Sequence, residues 1–140
     1  MPREPVISTV LVCDDVREEI THKHILIGVY SGMIAVHAFP AQRPLAFWLA
    51  MKATDVGSFA LTLRIITPKI SPAAEMTLSF DIPAAGEPFA LFTPPLPLPI
   101  TEPGNLELHA RWGDSGKWRV ALRKPILLVP PSTQPTENNP

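Results

Sequence analysis

Residues 106–122 read LELHARWGDSGKWRVAL. Leu106, Leu108, Ala110 and Trp112 alternate with Glu107, His109 and Arg111, and after a polar break Trp118, Val120 and Leu122 alternate with Arg119 and Ala121. A period of two with one apolar face marks a half-buried antiparallel strand. The two apolar faces lie on the same side only if the loop between the strands is odd. A loop of Asp114, Ser115 and Gly116, with Gly116 in the left-handed position of a bulged turn, meets that condition. The stretch therefore reads as a hairpin in which Trp112 faces Trp118, Leu108 faces Leu122 and Glu107 lies opposite Arg123.

The same alternation extends outward along the chain. Phe59, Leu61, Leu63 and Ile65 form one apolar series, and Met76, Leu78, Phe80 and Ile82 another. Three runs are apolar on both faces and suit strands nearer the centre of a fold: Val6 to Cys13, Ile25 to Val36 and Leu45 to Ala53. Turn chemistry separates the runs, as at 40–44, 67–74 and 85–88. The 18 prolines exclude long helices, because proline both clashes with a helix interior and removes a donor from it. The best short helix or turn candidate is Asp14 to Ile20, with Asp14 as its cap. Short strands without helices predict an all-β fold, an antiparallel β-sandwich of about seven to nine strands, immunoglobulin-like or C2-like. The Pro-rich stretch from Pro83 to Pro103 is expected to cross between the sheets as an extended strap.

A chain of 140 residues, 46% apolar and 18% charged, fits one globular domain. That domain is placed at 1–129, followed by a disordered Pro-rich tail at 130–140. The net charge of −1 and the lack of long basic runs argue against nucleic acid and anionic membranes as partners. A single Cys excludes an intramolecular disulfide framework. The start of the sequence lacks the charged and apolar regions of a secretory signal. No apolar stretch approaches the roughly 18 residues of a membrane span, so the chain reads as cytoplasmic.

The cluster Cys13-Asp14-Asp15-Val16-Arg17-Glu18-Glu19 concentrates a thiol and four carboxylates. Asp14 and Asp15 are hard oxygen donors, and with His22 and His24, which would share one face of a strand, they are the candidates for a metal site. The simpler reading buries Cys13 as an inert thiol at a strand end. In that reading the aspartates serve as turn residues, with Arg17 pairing one of them. His37 and His109 have no evident partner. The run Pro94 to Pro99 has the spacing of a polyproline ligand, but Leu96 and Leu98 favour burial. No nucleophile elbow, phosphate loop or paired-cysteine motif is present. Trp48 and Phe47 lie on a strand apolar on both sides, and an exposed face there would mark an interface.

Cys13-Asp14-Asp15-Val16-Arg17-Glu18-Glu19, then Lys23, then Ile25-Leu26-Ile27-Gly28-Val29-Tyr30, resembles a bacterial family of small uncharacterised proteins known as a domain of unknown function. The resemblance covers about the first 40 residues. It implies that Cys13, Asp14, Asp15, Arg17 and Gly28 are family hallmarks, and it implies no activity or cofactor. The leading expectation is a non-enzymatic binding or assembly module with a protein partner or a second copy, and without cofactor. The alternative is a metal- or small-ligand-binding sandwich with its site at the Cys13-Asp14-Asp15 turn, and an enzyme ranks third.

Overall fold

The computed structural model describes residues 2–114 and 116–130. Among the described residues there are eleven strands and no helix: β1 (Val6–Cys13), β2 (Asp15–Glu18), β3 (His24–Ile27), β4 (Ile34–Val36), β5 (Ala41–Lys52), β6 (Gly57–Thr67), β7 (Ile70–Ile82), β8 (Pro88–Phe92), β9 (Leu96–Ile100), β10 (Gly104–Trp112) and β11 (Arg119–Leu128). Two sheets pack face to face. One runs β4-β11-β10-β6-β7; the other runs β1-β5-β8, with β9 also paired to β5. β2 and β3 form a separate hairpin. Every pairing is antiparallel except β4 with β11. The expected all-β, largely antiparallel sandwich is the architecture found, but with eleven strands among the described residues where about seven to nine were expected, because the runs at 25–36 and 83–103 are each broken into two short strands.

Alternation decides which side chains form the core. Leu45, Phe47, Leu49 and Met51 of β5 and Val12 of β1 meet Leu61, Leu63 and Ile65 of β6 and Leu106 and Leu108 of β10. Ile34, Val36, Leu98, Ile100 and Ile126 fill the ends of the same cluster. Each such side chain contributes about 1.5–3 kcal/mol by leaving water.

The 106–122 hairpin keeps Leu108 opposite Leu122 and Glu107 opposite Arg123. Beyond them the register slips by one, so that His109 pairs with Val120 and Ala110 with Arg119. This bulge separates the two tryptophans. Trp112 joins Phe59 and Phe80 on the core side, whereas Trp118 lies over Arg64 and Arg111 on the outer face. A left-handed glycine of this turn is Gly113 (φ 66); the three-residue loop expected here includes Ser115, which lies outside the described residues.

Three other expectations are corrected. Asp14 to Ile20 is not helical, because residues 15–18 pair as β2 with β3. The run Ile25 to Val36 is two short strands divided by a turn at Gly28 (φ 68). β1 is an edge strand rather than a central one, whereas β5 is central as its apolar faces imply. The stretch 83–103 does pass from one sheet to the other and back, but its body is a broken strand. β8 and β9 both lie along β5, with Leu98 fully buried. Apart from Pro130, the tail 130–140 lies outside the described residues.

Candidate functional site

Residues 12–43 form a latch at one edge of the sandwich. Where β1 ends, the Asp14 N–H is shared between the carbonyls of Ile27 (2.9 Å) and Gly28 (3.2 Å). The Tyr30 N–H donates to Val12 O (2.9 Å). Gly28 needs the left-handed backbone that glycine adopts freely, and its missing Cβ leaves the space the Asp14 side chain occupies. The Asp14 carboxylate accepts the Tyr30 hydroxyl proton at Oδ1 (2.7 Å). Arg43 reaches over from β5 and donates to Tyr30 Oη (3.3 Å) and to Ala35 O (2.6 Å). Burial, then the bond to Asp14, pushes the Tyr30 hydroxyl above its ordinary pKa.

Cys13 is fully buried, with Sγ 3.4 Å from Asp15 O and 3.7 Å from Ala46 O. Burial pushes its thiol up, and the charges of Asp14 and Asp15 push the same way. A thiol is nucleophilic only as the thiolate, so Cys13 acts as a small apolar plug. Asp15 accepts from the Val16 N–H (2.9 Å) and from Arg17 Nε (3.0 Å), the pairing that the sequence suggests for Arg17.

The β2–β3 hairpin rises from this latch. Its inner face presses Val16 and Leu26 onto Cys13, Ala46, Trp48 and Phe92. Trp48 Nε1–H donates to His24 Nδ1 (2.9 Å), and the His24 ring meets Phe92 edge-on at 4.9 Å. The outer face carries Ile25 and Ile27, which lie across from Arg17 and Asp15. Among the described residues, Ile20, Ile25, Ile27, Val29 and Met33, five of the ten large apolar side chains left exposed, fall between positions 20 and 33. Two ion pairs lie among them, Arg17 with Asp15 and Lys23 with Glu19, and the His22 ring hydrogen-bonds Glu18.

The candidate metal ligands are not brought together. Asp14 faces Tyr30 and Asp15 faces Arg17. His22 sits in the hairpin turn at φ 66 beside Glu18, and His24 is under Trp48. Among the described residues no three His, Cys, Asp or Glu side chains converge. Phe47 is a core residue, fully buried, and presents no surface; Trp48 is half-buried on the outer face. The sequence reading missed Tyr30 and Arg43, although a lone arginine between Pro40 and Pro44, just ahead of an apolar strand, was a usable signal. It also missed the exposed isoleucines of β3, whose alternation with His24 and Leu26 marks an outward face.

No curated protein matches this chain. Residues 8–123 match a protein family, and the matched span holds the whole latch, the hairpin and most of both sheets, with the start of β1 and the end of β11 lying outside it. The resemblance to an uncharacterised domain thus holds over most of the chain, which belongs to the family of unknown function DUF6941.

Proposed function

We propose that this protein is a non-enzymatic binding module whose contact surface is the lobe formed by the β2–β3 hairpin and the turn after it. The single observation that carries the reading is the concentration of Ile20, Ile25, Ile27, Val29 and Met33 on one braced projection. Exposed apolar groups scattered singly mean little, but a contiguous set marks an interaction site. The latch ties the base of the hairpin to β1 through the bonds of Asp14 and Tyr30, which lowers the ordering cost of association. Arg17 and Lys23 each meet a neighbouring carboxylate, so the outward surface of the lobe is led by its apolar groups, and the occupant that fits is the apolar surface of another protein.

The test places a photo-crosslinking residue at position 27 of the full chain in its native cell. The captured protein is then purified and titrated against the unmodified chain. Ile25→Asp with Ile27→Asp should weaken binding about 100-fold, the equivalent of about 2.7 kcal/mol, whereas Arg123→Ala on the opposite sheet should leave it unchanged. Equal affinity of the double variant and the parent chain would overturn the reading. A crosslink between two copies of the chain would replace a foreign partner with self-association.

A further inference from the structure

The open side of the sandwich, between the edges of β1 and β11, is closed along only half of its length. At one end the chain's own segment 30–36 fills the gap: Tyr30 N–H bonds Val12 O on β1, and Ile34 to Val36 pair with Ile126 to Leu128 of β11. Lys124 Nζ reaches Ser31 O across the same closure. At the other end nothing among the described residues fills the gap. β11 has no partner on this side at 119–125, and β1 has none at 6–10. What remains is a groove of about 580 Å³, walled by residues 4–10 and by Arg119, Val120 and Ala121, with Ala110 and Trp112 also lining it.

The backbone of β1 is presented to this groove. Phe47 N–H and C=O are taken on its far side by Thr93, so the Val12–Phe47 pair is one of the non-hydrogen-bonded pairs of the β1–β5 ladder. Val10, two residues back and paired with Leu49, is another. Its N–H and C=O therefore point outward into the groove, as those of Val12 do toward Tyr30. Edge strands are ordinarily guarded by charge or proline. β7, an edge of the other sheet, carries Pro72, Glu75 and Asp81, whereas Val6–Cys13 carries no charge and no proline. The charged groups lining the groove are Glu4, Lys117 and Arg119.

We propose that this groove takes an extended, acidic peptide segment of a partner protein, added as a strand to the edge of β1. The segment 30–36 shows what the gap accepts, since a stretch of polypeptide that bends at 31–32 and is extended over Ile34–Val36 already seals its other half. Main-chain bonds to Val10 would supply affinity, alternate apolar side chains would turn toward Ala110, Trp112 and Ala121, and acidic residues would lie near Lys117 and Arg119. This site is separate from the hairpin lobe and stands without it.

The test measures amide exchange by NMR on the full chain with a blocked synthetic peptide, Asp-Asp-Val-Thr-Val-Thr-Val, and a Lys-Lys counterpart. In the free protein the Val10 amide should exchange faster than those of Leu11 and Thr9, whose N–H groups bond to β5. The acidic peptide should slow Val10 exchange by at least about tenfold, and a version N-methylated at alternate residues should not. Lys117→Glu with Arg119→Glu should transfer the preference to the Lys-Lys peptide. Three results would overturn the proposal: a Val10 amide already protected in the free chain, no protection at millimolar acidic peptide, or protection that grows with protein concentration alone alongside a doubled mass. The last would make a second copy the occupant.

Discussion

A Cβ on Gly28 would fall on the carboxylate of Asp14, 2.8 Å from its Cγ, while the Asp14 amide is bonded to the carbonyls of Ile27 and Gly28. The two residues occupy one shared volume, and the turn that carries the hairpin closes only because one of them has no side chain. Gly28→Ala adds both a steric conflict and a strained left-handed backbone. It should cost about 2–4 kcal/mol in urea unfolding. Paired with Asp14→Ala, its added cost should shrink by about 1 kcal/mol or more, because the single changes share one site.

Tyr30→Phe removes the donor to Asp14 Oδ1 and the acceptor for Arg43. The exposed Asp14 carboxylate then exchanges its partner for water, and the expected loss is about 0.5–1.5 kcal/mol. The urea midpoint should fall with the slope unchanged, since the surface exposed on unfolding stays the same.

Phe47 and Trp48 are neighbours in sequence with opposite fates. Phe47→Ala opens a cavity between the sheets and should cost about 3–5 kcal/mol. Trp48→Ala removes a half-covered side chain and its bond to His24, and should cost about half as much or less. A larger loss for Trp48 in thermal unfolding would show that the hairpin and the core unfold as a tighter unit than their burial implies.

Cys13 should resist a thiol reagent such as dithionitrobenzoate in the native protein at pH 8 and react at once in denaturant. It is fully enclosed and its thiol pKa is raised. Rapid labelling without denaturant would mean that the hairpin lifts from the sheet.

The Glu107 carboxylate is held below its ordinary value of 4.5, first by the hydrogen bond from His109 and then by Arg123, against the opposing effect of burial. A folded pKa lower than the unfolded one means that the unfolded chain binds the proton first on acidification. The stabilisation is complete above the unfolded value and is lost as pH falls from about 4.5 through the folded value. Glu107→Gln should therefore lower stability at pH 7 and flatten the acid limb below about pH 4.5 in a pH series of urea melts.

Much of the fold was legible where one apolar face alternates with one polar face. Leu61, Leu63 and Ile65 are core residues as the alternation in β6 predicts, and Leu108 does find Leu122. The reading failed where the pattern carries no phase. In β5 both faces are apolar, so nothing in the sequence distinguishes Phe47, turned inward, from Trp48, turned outward. At Ala121 the bulge shifts register, and Val120, apolar but half exposed, disguises the shift. Asp14 to Ile20 has the acidic look of a helix start, but its backbone partners lie at 24–27, beyond the reach of local propensity. The candidate site was legible as a motif and not as a mechanism. Asp14 and Gly28 stand out in the sequence, while the contact between them depends on a turn that brings positions 14 and 28 together.

The parallel pairing of β4 with β11 sets a condition on how the chain reaches its native form. Val36 meets Leu128, 92 positions later, and the His37 ring completes the tie by donating Nδ1–H to Val129 O (2.7 Å). At ribosomal speeds of about 5–20 residues per second, that partner emerges roughly 5 to 20 seconds after Val36. Through that interval Ile34 to Val36 lack the strand that anchors them. Non-local pairing of this kind slows folding, and it leaves the N-terminal third of the nascent chain dependent on its C-terminal strand for closure.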